Sequence, residues 1–325
     1  MRFEGTIWYR RTFEAHPAEG KRLFLHFGAV NHAAEVALNG KVIGRHEGGY
    51  TPFEFEISSR VLEGENSLVV KVTSTLDDST IPTNRTDWWN YGGITRSVCL
   101  VETPSTFIRD YGIELKRGSL EGRKPRPALC GWVQLDGPAK TPVQVAIPEL
   151  GFSVSVTPDE NGYAAFEARL PKPKLLQAWT PSHPKLYSLT VSSGEDSVSD
   201  KVGLRTIEVS GYDILLNGKS IFLKGINIHE EAVGKGAGRA FSKEQDIELL
   251  SLAKDLGCNF VRLAHYPHNE YMTRMADEMG LLVWSEIPVY WGIDFASEEA
   301  YSNAAAQLES NIARDHNRAS VIIWS

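Results

Sequence analysis

Asn259-Phe260-Val261-Arg262-Leu263-Ala264-His265-Tyr266-Pro267-His268 is the stretch on which the fold turns. Residues 259–264 read as a mostly apolar strand, which runs into a cluster of polar and aromatic groups rather than a turn. A helix precedes it. Ser242 and Gln245 have the spacing of a capping box, in which a Ser oxygen accepts the N3 amide and Gln reaches back to the Ser amide. The helix they open carries Ile247, Leu250 and Ala253 on one face and stops at Gly257. A second helix follows the strand. Met272, Met275, Ala276 and Met279 make a helical apolar stripe that reads as core, with Gly280 as the C′ residue. Farther on, residues 281–284 are a strand, 298–314 a helix and 321–324 a strand, while residues 221–227 form a strand on the upstream side. Strands alternating with helices mean parallel β/α architecture, here with four strands.

Upstream of Gly211 the pattern is all β. Leu23, Leu25 and Phe27 share one face of a half-buried strand. Residues 34–38 lead through Asn39-Gly40, a pair suited to a type I′ turn, into Val42-Ile43-Gly44. Residues 53–57 and 67–72 are further strands, with 63–66 as a turn, and strands at this spacing imply an antiparallel sandwich. Beyond Pro104 a second set begins, at 113–115, 128–135, 143–147 and 152–156. It is interrupted by prolines that a sheet admits only at edges, bulges and turns. It reads as a small second sandwich ending near Arg205.

The 325 residues carry 34 Lys+Arg against 41 Asp+Glu, a net charge of −7. With no basic run, nucleic acid and anionic membrane are excluded as main partners, and no apolar stretch approaches the ~20 residues of a membrane span. Cys99, Cys130 and Cys258 lie far apart, make no CxxC pair and read as buried thiols. The residues after Met1 lack the apolar core of a signal peptide.

Polar clusters stand at the four strand ends: Asn227 to Glu231, Arg262 to His268, Ser285-Glu286 and Trp324-Ser325. In a TIM-type barrel such ends converge, so residues from separate strands can meet. His265 and Glu231 favour substrate contact, while Arg262 and Glu286 fit an ion pair across the mouth at least as well. His229-Glu230 lacks the second His of a zinc helix, and 234–238 lacks the spacing of a phosphate loop and reads as a mobile loop. In the first sandwich, Thr86-Asp87-Trp88-Trp89-Asn90-Tyr91 suits carbohydrate, because apolar sugar faces pack on aromatic rings while hydroxyls need paired polar groups. The same run also suits an aromatic plug between domains, with Trp88 or Trp89 as the plug.

Several runs together resemble glycoside hydrolase family 2, which contains β-galactosidases and β-glucuronidases. They are residues 27–31, Asn39-Gly40, 48–53, 87–96, 222–227 with His229-Glu230, 262–267, and 314–325. The resemblance implies a jelly-roll sugar-binding sandwich over 1–103, an immunoglobulin-like sandwich over 104–206, and the first half of a TIM-type catalytic barrel over 207–325. It implies that Asp87, His229, Glu231 and His265 bind sugar, with Asn227, Arg262 and Glu286 in support. Glu231 stands where β-glucuronidases often carry Asp, one methylene shorter. Arg318-Ala319 replaces a usual His-Pro and reads as a loop variation.

Members of the family hydrolyse β-glycosides with retention, using two carboxyl groups ~5–5.5 Å apart. The resemblance places both catalytic Glu beyond Ser325, so this chain looks clipped at both ends and is expected to be inactive alone. A non-catalytic carbohydrate-binding or interaction fragment is the alternative. No cofactor or metal is expected, although a cation serves some relatives. The expected partner is carbohydrate, and a homo-oligomer is left open.

Overall fold

The computed structural model describes residues 4–122, 124–138, 141–234 and 238–325. Met1 to Phe3 and residues 235–237 of the glycine-rich stretch lie outside the described residues.

The first sandwich faces a four-stranded antiparallel sheet against a three-stranded one. The first has the order Thr6–Ala15, Gly64–Thr73, Ala33–Leu38, Lys41–Glu47, and the second Phe53–Glu56, Lys21–Phe27, Val98–Pro104. Alternation places Leu23, Leu25 and Phe27 of one sheet against Val36, Leu38, Val70 and Val72 of the other. Asn39 and Gly40 both take positive φ, 51° and 78°, as the tight hairpin requires. The strand at Thr6–Ala15 escapes the sequence pattern because most of its residues are exposed, and the expected turn at 63–66 is already strand from Gly64. A short pair, Val30–Asn31 with Gly93–Ile94, ties the aromatic loop of residues 86–91 to the sandwich. Cys99 is exposed and Cys130 and Cys258 are half-buried, which corrects the expectation of buried thiols. Cys99 lies on Val98–Pro104, an edge strand whose residues are largely exposed.

The second sandwich packs Phe107–Leu115, Ala128–Asp136 and Tyr163–Arg169 against Phe152–Val156, Val143–Ile147, Leu186–Ser193 and Asp196–Gly203. Leu129, Val133, Val145, Ile147, Tyr187, Leu189 and Val191 fill the space between the sheets.

The parallel sheet runs Gly225–Ile228, Phe260–Leu263, Leu282–Ser285, Val321–Trp324, each strand beside its predecessor. Its helices are α1 (Lys243–Asp255), α2 (Glu270–Met279) and α3 (Glu298–Asp315). Both halves of the Ser242–Gln245 capping box form, and Gly280 closes α2 at φ 71°. On α1 the buried apolar face is Leu249, Leu250 and Ala253, while Ile247 is exposed, a one-residue rotation from the expected stripe. The strand expected over 221–227 is two elements. Lys219–Ile221 ends an antiparallel hairpin, the chain crosses over residues 222–224, and Gly225–Ile228 enters the parallel sheet. Asn259 secures the crossover, its amide donating to the Phe222 carbonyl and its oxygen accepting the Lys224 amide. No helix among the described residues is long and apolar enough to cross a membrane.

Arg318 is a clasp and not a loop variation. It is 4% exposed, pairs with Asp200 of the second sandwich and lies 3.4 Å from Asp277 of α2. Neighbouring Ala319 packs against Trp179 and Gly203. A guanidinium reaching two buried carboxylates locks the second sandwich to the base of the helices.

Candidate active site at the mouth of the parallel strands

The in-register row Asn227, Arg262, Trp284 occupies one face of the parallel sheet, because opposed residues in a ladder point the same way. Val261, Leu263 and Val283, on the other face, are buried against the helices. The chemistry-bearing row therefore faces the interior side, and the chain delivers its remaining polar groups just past the strand ends.

Glu286 follows the third strand and is buried. Its Oε2 accepts from Arg262 Nε at 2.9 Å, and its Oε1 meets His265 Nδ1 at 2.8 Å. The guanidinium of Arg262 also stands 4.5 Å from the centre of the Trp284 ring. The expected Arg262–Glu286 ion pair is therefore present, and it orients His265 as well. Asn227 is exposed at the head of the same row.

Asp87 arrives from the first sandwich. Its Oδ2 accepts from the Tyr290 hydroxyl at 2.7 Å, and a carboxylate oxygen of Asp87 and one nitrogen each of His229 and His265 all lie within 4.8 Å of one another. Asp87 raises the Tyr290 hydroxyl pKa by accepting its proton in a hydrogen bond. Burial lowers the pKa of His229, and nearby His265 adds to the effect. Asp87, Trp88, Trp89, His229 and Glu231 line an open cavity of about 530 Å³. Glu231 sits on its wall, with its backbone bridged to Arg239.

Trp88 and Trp89 differ sharply in burial. Trp88 is 8% exposed and packs against Tyr290, Tyr266, His265 and His229 at ring separations of 5.1 to 6.3 Å, so it is the plug. Trp89 is 63% exposed and lines the cavity.

Beneath this mouth lies a buried clasp that the sequence did not disclose. Glu230 is fully buried, and its Oε1 accepts the Asn269 amide and lies 3.3 Å from Arg96 Nη2. Its Oε2 is 3.2 Å from Arg239 Nε. Burial alone would raise the Glu230 pKa, but Arg96 and Arg239 outweigh it and hold the carboxyl below its ordinary range. The guanidinium of Arg239 stands over both Tyr50 and Tyr266, which stack at 4.3 Å. Arg96 donates to the carbonyls of Tyr50 and Pro267 at 2.6 Å each, joining the first sandwich to the second parallel strand. Tyr290 was also missed. The pair Tyr290-Trp291, five residues past a strand, was its only signal, and no spacing rule ties such a pair to Asp87.

Two family models match the chain: "Glycosyl hydrolases family 2, sugar binding domain" over residues 2–104 and "Glycosyl hydrolases family 2, TIM barrel domain" over residues 207–325. The chain belongs to glycosyl hydrolase family 2. It is 31% identical to a β-galactosidase of Thermoanaerobacter pseudethanolicus, over 98% of this chain and 44% of that protein. It is 30% identical to a β-glucuronidase of Paenibacillus borealis, over 99% of this chain and 58% of that protein. Among solved structures, the β-glucuronidase of Bifidobacterium dentium complexed with coumarin-3-O-glucuronide superposes with a TM-score of 0.88 at 26% identity, covering 99% of this chain and 59% of that one. The chain thus spans about half the length of the relatives it matches.

Proposed function

We propose that this chain builds the glycone-binding part of a retaining β-glycosidase of β-glucuronidase or β-galactosidase type. The observation that carries the reading is the meeting of Asp87, from the first sandwich, with His229 and His265, from two parallel-strand ends, beside an aromatic wall. A carboxylate and two imidazoles supply the acceptors and donors that a ring of sugar hydroxyls requires, and Trp89 offers a flat face to its C–H side. Glu231 adds a second acceptor on the wall. Arg262 and Glu286 are positioning groups, since Glu286 fixes the tautomer and aim of His265 through Nδ1 and leaves Nε2 for substrate. Asn227 extends the same row.

Retaining hydrolysis needs one carboxyl to attack the anomeric carbon and another to protonate the leaving oxygen. Glu286 is committed to Arg262 and His265, and Asp87 to Tyr290, so both read as binding or positioning groups. We assign the nucleophile and acid/base to residues beyond Ser325. In this reading 1–103 is the jelly-roll sugar-binding domain, 104–206 the immunoglobulin-like domain, whose three- and four-stranded sheets suit that fold, and 207–325 the first half of the catalytic barrel. No resident cofactor takes part.

Titration of the 325-residue chain with glucuronic acid and with galactose, followed by saturation-transfer NMR, tests the reading. Binding of at least one sugar should weaken more than tenfold in Asp87→Asn, while aryl β-glycosides should not be turned over above a vector-only blank. Equal binding by Asp87→Asn and the parent would remove Asp87 from the site, and clear turnover would refute the assignment of both catalytic carboxyls outside the chain.

A further inference from the structure

We propose that the floor of this site also binds a d-block divalent cation such as Zn²⁺, held by Asp87, His229 and His265, and that the ion excludes sugar. The second clause rests on the glycone-site reading; the first does not.

The donor set is one carboxylate and two imidazoles, from the aromatic loop of the first sandwich and from two separate strand ends. Because the three lie far apart in sequence, no metal-binding spacing exists to be read. Nitrogen and carboxylate ligands bind Zn²⁺ at ~2.0–2.2 Å in tetrahedral geometry, so neighbouring ligand atoms should stand ~3.4 Å apart. The donor atoms here lie within 4.8 Å of one another, and closing that gap takes no more than about 1.4 Å of side-chain movement. Asp87 is exposed, and the carboxylate oxygen that Tyr290 does not hold can supply that movement, whereas the two imidazoles are half-buried.

The groups around the donors favour an ion independently. His265 gives Nδ1 to Glu286, a carboxylate-anchored imidazole of the sort that supports metal-ligating histidines, and this leaves Nε2 for the metal. Tyr290 holds one oxygen of Asp87 and leaves the other available. His229 Nδ1 is buried without a hydrogen-bond partner, so nothing on that nitrogen competes for the ring. Two imidazoles against one carboxylate select against Mg²⁺ and Ca²⁺, which take oxygen ligands, and favour Zn²⁺, Ni²⁺ or Cu²⁺. Three protein ligands leave the fourth position to water. An ion so bound takes the free lone pair of each imidazole and one of the Asp87 carboxylate, and stands where the sugar would lie.

The test is calorimetric titration of the full chain with Zn²⁺ in a non-chelating buffer, supported by the visible d–d bands of four-coordinate Co²⁺. One equivalent should bind. H229Q, H265Q and D87N should each weaken it more than tenfold, and E286Q about threefold. H16Q and H183Q, at exposed histidines away from the site, should leave it unchanged. Thermal melting of each variant separates loss of ligand from loss of fold, and D87N, in an exposed loop, gives the ligand test where a histidine variant unfolds. Zn²⁺ binding that D87N, H229Q and H265Q do not alter, or an absence of binding, overturns the metal site. Zn²⁺ binding at these residues in a chain that takes no sugar upholds the site while the glycone reading fails. If both bind, Zn²⁺ should raise the apparent sugar dissociation constant in proportion to its occupancy, and simultaneous binding would refute the exclusion.

Discussion

Glu230 and Glu286 are two buried carboxylates of similar chemistry in one site, and their partners lie at different depths. Glu230 is sealed under the mouth between two arginines and bonded to a backbone amide, whereas Glu286 lies at the mouth with one arginine and one histidine. Depth decides what each can do. A carboxylate whose partners are all buried cannot exchange them for substrate, so Glu230 joins the first sandwich to the parallel strands. Glu286 has partners that remain partly exposed, Arg262 at 28% and His265 at 13%, so its hold on them can be passed on to a ligand.

Neutralising each in turn tests the contrast most strongly. Glu230→Gln leaves Arg96 and Arg239 as buried charges without a counterion, which costs ~3–5 kcal/mol of stability. Glu286→Gln leaves one partly exposed guanidinium, that of Arg262, without its carboxylate and should cost ~1 kcal/mol, while lowering sugar affinity more than tenfold through the lost aim of His265. Urea denaturation and sugar titration of the two variants measure both quantities. The comparison collapses if Glu286→Gln is the more destabilising, or if Glu230→Gln folds with unchanged stability.

The clasp sharpens further at Asp246, which is fully buried on α1. Asn269 joins it to Glu230, giving its backbone amide to Glu230 and its side-chain amide to Asp246 Oδ1 at 3.1 Å. Asp246 Oδ2 has no partner. Burial pushes the Asp246 pKa up to about 7, against the Asn269 hydrogen bond that lowers it, and the neighbouring charge of Glu230 adds to the rise. Below about pH 7 the clasp therefore pairs the ionised Glu230 with a protonated Asp246. Between about pH 4 and 7 the unfolded chain has lost the Asp246 proton while the folded chain retains it. The contribution is complete below the unfolded value and is lost as pH rises toward and through about 7. Asp246→Asn carries no such proton, so its stability relative to the parent should climb by ~2–4 kcal/mol from pH 4 to pH 8. Denaturation midpoints at several pH values check this, and parallel curves for parent and variant would show that Asp246 is ionised throughout.

The same contrast explains what could be read from the chain alone. Alternation at Leu23-Leu25-Phe27, the Asn39-Gly40 turn, the Ser242–Gln245 capping box and the methionine stripe each encode structure within a few residues, and all appear in the fold. The clusters that hold Asp87, His229 and His265 stand out locally as polar residues at strand ends and beside paired tryptophans, while the resemblance to the family supplied the sugar-binding roles of Asp87 and His229. The Glu230 clasp could not, since Arg96 lies 134 residues from its partner and an arginine in sequence carries no mark of burial. Arg318 was misread for the same reason, because its counterions come from Asp200 and Asp277. Local physics writes elements into the sequence, but long-range charge pairing becomes visible only once the elements are placed.

The smallest expected effect sits at the rim, where Tyr290 donates to Asp87 at 2.7 Å and its ring stands 4.8 Å from His265 and 5.1 Å from Trp88. Tyr290→Phe keeps the ring contacts and deletes one exposed hydrogen bond, so stability should change by less than ~0.5 kcal/mol. If the hydroxyl serves to aim Asp87, its loss frees the carboxylate to rotate and should weaken sugar binding about threefold, well short of the effect of Asp87→Asn. A hydrogen bond to a charged acceptor is worth ~1.5–3 kcal/mol when buried, and exposure at the rim reduces that to a fraction. Sugar titration of Tyr290→Phe, Asp87→Asn and the double variant separates the outcomes. If the double variant is no weaker than Asp87→Asn, Tyr290 acts only through Asp87; an additive loss means that the hydroxyl meets the sugar itself, and the mouth then owes its contacts to a residue that no strand end announced.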